Sequence, residues 1–214
     1  MDRLKKEINE LTASLENNVE NIETCIILTR IAIQSQVKVY HHLEKVSKYV
    51  YLLCIALGMS PYFSKTISNV AGLHDIAKVV MDSTVLCKPT PLTEVEKVEI
   101  REHCIIGYKL LTGVNFYYNL AASVALNHHE RWGGSGYPNN KIGTDIPLIA
   151  RIVSIADVFD ALTASRVYKH EWSVNDALEY INNDEFNQFD PEITKVFLSI
   201  TDQIIEVSKE TVDF

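Results

Sequence analysis

A chain of 214 residues carries seven histidines: His41, His42, His74, His103, His128, His129 and His170. His74 is followed at once by Asp75, and His128 adjoins His129. Imidazoles and carboxylates gathered in this way are ligands for first-row metal ions, whereas a lone histidine on a helix is more often packed or solvated. His41 and His170 take the second reading. For the two adjacent pairs, taken alone, metal binding and plain packing are evenly matched.

The surrounding text tips the balance. Gly72-Leu73-His74-Asp75-Ile76-Ala77-Lys78, then His103, Asn127-His128-His129-Glu130, Gly136-Tyr137-Pro138 and Ala156-Asp157-Val158-Phe159-Asp160-Ala161-Leu162 follow one another in an order that closely resembles the HD-GYP family. These are metal-dependent phosphodiesterases of the HD superfamily that open the bacterial second messenger cyclic di-GMP. The resemblance spans roughly residues 37 to 200. It implies an all-α, HD-type helical bundle around a binuclear metal site.

By resemblance, the metal ligands are His42, His74, Asp75, His103, His128, His129 and Asp157. His42, His74, Asp75 and Asp157 are assigned to one ion and Asp75, His103, His128 and His129 to the other, so that the Asp75 carboxylate bridges them. The implied cofactors are two divalent first-row ions, iron or manganese. Asp75 and Lys78 are the implied catalytic residues. Lys78, Tyr137, Arg166 and Lys169 are the implied substrate contacts, the last two gripping a second phosphate or a guanine. Some relatives hold a third metal through a glutamate four residues before the first histidine; Lys38 stands there in this chain, which implies two metals.

Opening a phosphodiester needs a nucleophile at neutral pH and neutralisation of charge on phosphorus, and two ions about 3.5–4 Å apart supply both. The implied reaction is hydrolysis of cyclic di-GMP to pGpG, GMP or both. Hydrolysis of 3′,3′-cyclic GMP-AMP or another nucleotide, and a catalytically weak cyclic-dinucleotide receptor, are the alternatives. Three positions depart from the family pattern without removing a ligand: Ala77, Gly133 and Val167. Ala77 is expected to shift Lys78 slightly, and Gly133 to loosen the loop that follows. Glu130 and Asp160 are expected behind ligand imidazoles or in structural roles, because a ligating histidine usually gives its other N–H to a carboxylate or carbonyl. Asp190 reads as a helix cap. In relatives the Gly136-Tyr137-Pro138 loop is thought to bind a diguanylate cyclase domain, so that partner is implied too.

Ligands scattered over five segments must be brought together by crossing helices. Val39, Leu43, Val46, Val50 and Leu53 share one helical face that ends at Leu57-Gly58, and Ser60-Pro61 opens another helix. Further helices are predicted over about 61–80, 93–112, 116–131, 147–165, 173–182 and 190–207. Residues 88–93 form an extended connector and 132–147 a long Gly- and Pro-rich loop of the kind that carries function. Ahead of the domain, assigned to 37–214, Leu4, Ile8, Leu11, Leu15, Asn18, Ile22, Cys25 and Thr29 alternate by four and three. That heptad seam predicts a dimerising or connecting helix over 1–36; a single amphipathic helix lying on its own domain is the alternative.

With 20 basic and 28 acidic residues, the chain has a net charge of −8 and lacks the basic excess that binding to duplex nucleic acid or anionic membrane requires. The four cysteines, Cys25, Cys54, Cys87 and Cys104, form no CxxC pair, so reduced thiols and a cytoplasmic setting are expected. The longest apolar run, Tyr49 to Met59, is far short of the roughly 20 residues that cross a bilayer, and Met1 to Leu11 is too charged for a secretory signal.

Overall fold

Helix boundaries follow from local chemistry. The Ser60 hydroxyl accepts the Phe63 amide ahead of Pro61, Asn115 accepts the amide of Tyr118, and Thr93 and Glu96 form a reciprocal capping box. The computed structural model describes residues 2–17, 37–86, 88, 90–164, 171–183 and 187–210, with the backbone alone at 37–40 and 83. Its α-helices are α1 (Asp2–Glu16), α2 (Val37–Ala56), α3 (Pro61–Ala71), α4 (Ser83–Leu86), α5 (Glu94–Arg101), α6 (His103–Leu111), α7 (Phe116–Asn127), α8 (Leu148–Thr163), α9 (Val174–Asn183), α10 (Pro191–Ser199) and α11 (Thr201–Lys209). Two 3₁₀ turns, Ile76–Val79 and Gly143–Asp145, complete the order. Among the described residues, extended pairing amounts to one isolated bridge between Gly133 and Ile142, so the fold is all-α.

The core is built around α8, where every residue from Leu148 to Asp157 is buried. Helix α2 packs on α3, α8 and α11, while α7 lies against α3, α6 and α8. Phe159 of α8 meets Tyr49 of α2 edge-on at 5.2 Å and Phe197 of α10 at 5.6 Å, tying three helices with aromatic contacts.

Helix α1 lays Leu4, Ile8 and Leu15 into this same core. Its polar side is pinned as well. Arg3 pairs with Asp190 and Glu192 at 2.7 Å each, and Glu7 contacts the guanidinium of buried Arg151. A four-and-three spacing serves a stripe on the parent domain as well as a coiled coil, and residues 2–16 use it for the former. Asn18, Ile22, Cys25 and Thr29, on which the coiled-coil and dimer expectations also rest, lie outside the described residues.

Four predicted helices are interrupted. Instead of running to residue 80, α3 stops at Ala71, and the Gly72 amide turns back to the carbonyls of Ser68 and Val70 before the chain tightens into 3₁₀. The stretch 93–112 divides at Glu102, 190–207 divides at Ile200, and α7 stops at Asn127 rather than 131. His74, Asp75, His128 and His129 therefore occupy turns after helix ends, and His103 opens a helix. Hydrophobic periodicity runs through such breaks without registering them, because a one-residue kink keeps the apolar face in phase. Cys54 and Cys104 are buried free thiols. Cys25 and Cys87 lie outside the described residues. No helix among these residues is long and apolar enough to cross a membrane.

Candidate metal centre

Helix ends leave their last carbonyls without intrahelical partners. Here those carbonyls orient imidazoles: His74 Nδ1 lies 2.8 Å from Ala71 O, His103 Nδ1 2.6 Å from Ile100 O, and His128 Nδ1 3.0 Å from Ala125 O. Each bond places the hydrogen on Nδ1, so Nε2 of all three rings faces inward with its lone pair. His42, on α2, is set differently, with Nδ1 2.7 Å from Oδ2 of buried Asp160.

All seven expected ligands come together in one buried cluster. Asp75 stands at its middle: Oδ2 is 3.4 Å from His74 Nε2 and 4.0 Å from His42 Nε2, while Oδ1 is 3.4 Å from His103 Nε2 and 3.8 Å from His128 Nε2. Asp157, from α8, brings Oδ1 to 3.1 Å from His42 Nε2 and 3.8 Å from His74 Nε2. The His129 ring centroid lies 4.0 Å from that of His128 and 5.0 Å from that of His103. Three trios have ligand atoms close enough to share an ion: His42, His74 and Asp75; His103, His128 and His129; and His74, His128 and Asp157. The third trio cuts across the expected partition and joins the two halves.

The donor set fits a cation on chemical grounds. Nε2 of His74 and Oδ1 of Asp75 are buried without a hydrogen-bond partner, and buried polar atoms are rarely left so. His103 Nε2 and His128 Nε2 are 3.2 Å apart, yet both rings already use Nδ1 as donor, so two lone pairs confront each other. A positive ion between such groups removes both anomalies.

Titration behaviour agrees. Burial drives His128 well below the ordinary histidine value, pushes His129 down to about 4 and lowers His103, so these imidazoles are neutral at neutral pH, the form in which a ring can ligate a metal. Burial also lowers His42, but its hydrogen bonds with Asp157 and Asp160 outweigh it and raise the group to about 9; a proton there does what a cation would do for Asp157. Asp75 stays below the carboxylate range despite burial because Lys78 and His74 face it, and Asp157 does so through His42. Lys78 reaches back from the 3₁₀ turn to contact Asp75 Oδ2 directly. Ala77, buried in that turn, leaves this contact intact.

The loop after α7 closes one flank. Tyr137 stacks on His129 at 4.8 Å and 31°, and the Tyr137–Pro138 peptide is cis. Gly136 is tightly placed: a Cβ there would lie 2.3 Å from the Arg131 amide nitrogen. Glu130 is not behind an imidazole. Its buried carboxylate accepts the Asn139 amide at 2.7 Å and the Lys141 amide at 3.0 Å, clasping the loop. Gly133 does not loosen it either, since its amide donates to Asn187 O at 2.8 Å and a Cβ would meet Asn187 Nδ2 at 2.9 Å. Asp190 caps α10 as expected and also takes Arg3 and Arg151, partners no local motif announces. Sequence reasoning missed Arg101, whose guanidinium lies over the Tyr137 ring. Arg166, Lys169, Val167 and His170 lie outside the described residues, as does the side chain of Lys38.

A helical bundle that gathers imidazoles and aspartates from turns at helix ends defines the class. The family model "HD domain" matches residues 27–193, and the chain belongs to that family, with the motif order of its HD-GYP branch. HD-domain phosphohydrolases bind divalent metals. The cyclic di-GMP phosphodiesterase response regulator RpfG of Xanthomonas campestris pv. campestris is 43% identical over 157 residues, covering 73% of this chain and 42% of that protein. The 3′3′-cGAMP-specific phosphodiesterase 2 of Vibrio cholerae is 34% identical over 167 residues, covering 78% and 32%. The chain thus spans less than half the length of these two curated relatives. Among solved structures, Bd1817, an HDG"Y"P protein from Bdellovibrio bacteriovorus, shares the fold, with TM-score 0.63 at 16% identity over 94% of this chain and 69% of that one.

Proposed function

We propose that this chain is a phosphodiesterase unit that hydrolyses cyclic di-GMP to pGpG, GMP or both, using two divalent ions held by His42, His74, Asp75, His103, His128, His129 and Asp157. The observation that carries the reading is the division of the Asp75 carboxylate, one oxygen toward His42 and His74 and the other toward His103 and His128. Bound there, the ions would supply a nucleophile at neutral pH and draw charge from the phosphorus. Iron or manganese suits this mixed imidazole and carboxylate set. The chain's own residues do the rest. Backbone carbonyls and Asp160 fix the imidazoles, Lys78 sets a positive charge beside Asp75 for a substrate phosphate, and Tyr137 walls the site from the loop side. Arg166 and Lys169 are proposed on the next stretch as further phosphate or guanine contacts. The cyclase contact at Gly136-Tyr137-Pro138 and the homodimer through the N-terminal helix belong to the same proposal.

A second reading, 3′,3′-cyclic GMP-AMP as substrate, is favoured by the likeness to the Vibrio phosphodiesterase named for it. The test is metal analysis of anaerobically purified protein, followed by chromatography of both cyclic dinucleotides incubated with it under Fe(II) or Mn(II), beside a His74→Ala/Asp75→Ala control. Linear product from cyclic di-GMP in the wild type alone, with about two metals per chain, is the expected result. Product from cyclic GMP-AMP alone supports the second reading. Two metals and no product would leave a receptor, and no metal overturns the proposal.

A further inference from the structure

Among the described residues, Lys78 is the one cation expected at the candidate site, since Arg166 and Lys169 lie outside them. The chain is net −8, and the ammonium of Lys78 is already engaged with Asp75. A cyclic dinucleotide brings two phosphodiesters, only one of which can sit at the metal centre at a time. The other must be held by side chains.

Arg101 is placed for that task. It is the last residue of α5, two positions before His103 opens α6, so one helix junction delivers both an imidazole to the centre and a cation to the ring that flanks it. Its Cζ lies 5.0 Å from the centroid of Tyr137, the ring that stacks on His129. The residue is exposed, and no carboxylate among the described residues lies within ion-pair distance of it. Glu94, which feels its charge, is itself paired with Lys97 at 2.8 Å. A cation–π contact engages the charge of a guanidinium and takes none of its N–H groups into a hydrogen bond, so Arg101 keeps paired donors that match a phosphate.

Resting on the function proposed above, we propose that Arg101 is a substrate-binding residue that grips the phosphodiester left intact during the first cut, with the Tyr137 ring as its platform. It adds a contact on the α5 side to those expected of Arg166 and Lys169. The arrangement also gives the contact a purpose: Tyr137 links the guanidinium to His129 and so to the candidate metal centre.

The test compares wild type with Arg101→Ala and Arg101→Lys, matched for metal content, on cyclic di-GMP and on bis(4-nitrophenyl) phosphate, a small diester with no second phosphate. Arg101→Ala should raise KM for cyclic di-GMP about tenfold or more with kcat within about threefold, and Arg101→Lys, which keeps the charge but not the paired donors, should recover only part of that loss. The loss on the dinucleotide should exceed that on the small diester by at least about tenfold. Equal losses on both diesters, an Arg101→Lys variant as active as wild type, or an unchanged KM overturns the inference alone. A wild type that cleaves the small diester but no cyclic dinucleotide overturns the substrate reading, and the inference with it.

Discussion

Replacing Glu130 separates two roles for a buried acid next to a metal centre. Its side chain is 2% exposed, and each carboxylate oxygen accepts a different backbone amide, Asn139 on Oε1 and Lys141 on Oε2. Hydrogen bonds to a charged acceptor are worth about 1.5–3 kcal/mol each. Glu130→Gln keeps the shape but offers one acceptor oxygen, and its NH₂ would confront the second amide. One bond is lost, so the cost is about 2 kcal/mol. Glu130→Ala loses both, but Asn139 is exposed and water can reach its amide, so about 3 kcal/mol is expected. For a domain of this size each kcal/mol lowers Tm by about 2–4 °C, giving about 4–8 °C for Gln and about 6–12 °C for Ala. Differential scanning calorimetry of both variants, with limited proteolysis read for new cuts within residues 132–147, measures this. A Gln variant that melts with wild type and resists protease, while metal affinity falls about 10–100-fold, would refute the loop clasp and put Glu130 behind an imidazole.

Two further outcomes follow from buried partners. Asp160→Asn retains an oxygen for His42 Nδ1 but removes the charge, so competition against a chelator should show metal affinity weakened about tenfold, and about a hundredfold for Asp160→Ala; unchanged affinity in both would mean Asp160 does not support the ligand. Arg151→Met removes the guanidinium shared by Asp190, Glu7 and Ile146 O, leaving Asp190 with Arg3 and the Glu192 amide, at a cost of about 3 kcal/mol. Hydrogen exchange should then speed up in α1 and at the start of α10, and wild-type protection there would show that the network does not hold the helix down.

That these seven residues would gather was legible because they are rare residue types in a fixed order, and type and order survive without coordinates. What fixes each imidazole was not. His74, His103 and His128 bond to carbonyls at helix ends, and a backbone carbonyl has no letter in the sequence. The helix breaks at Gly72 and Glu102 were hidden as well: helix-favouring residues continue on both sides. Asp160 was readable as a histidine partner because its own side chain does the work, three residues after Asp157 on one helix. Glu130, adjacent to His129, takes the structural of its two expected roles, because neighbours in sequence can point to different surroundings once a helix has ended. Arg101 drew no notice, since a lone arginine at the end of a polar helix carries no pattern; only its position over Tyr137 sets it apart.

The anchoring of imidazoles by carbonyls bears on how freely this sequence can drift. A carbonyl is supplied by whatever residue stands at Ala71, Ile100 or Ala125, so substitution there leaves the tautomer of the adjoining histidine untouched as long as the helix ends where it does. Three of the candidate ligands are thereby insulated from point mutation in their surroundings. His42 is the exception, because its orientation depends on a particular side chain. Variation that tunes the metal centre without abolishing it is thus channelled to the α2–α8 contact, where one carboxylate can be strengthened, weakened or replaced while the remaining imidazoles hold their places.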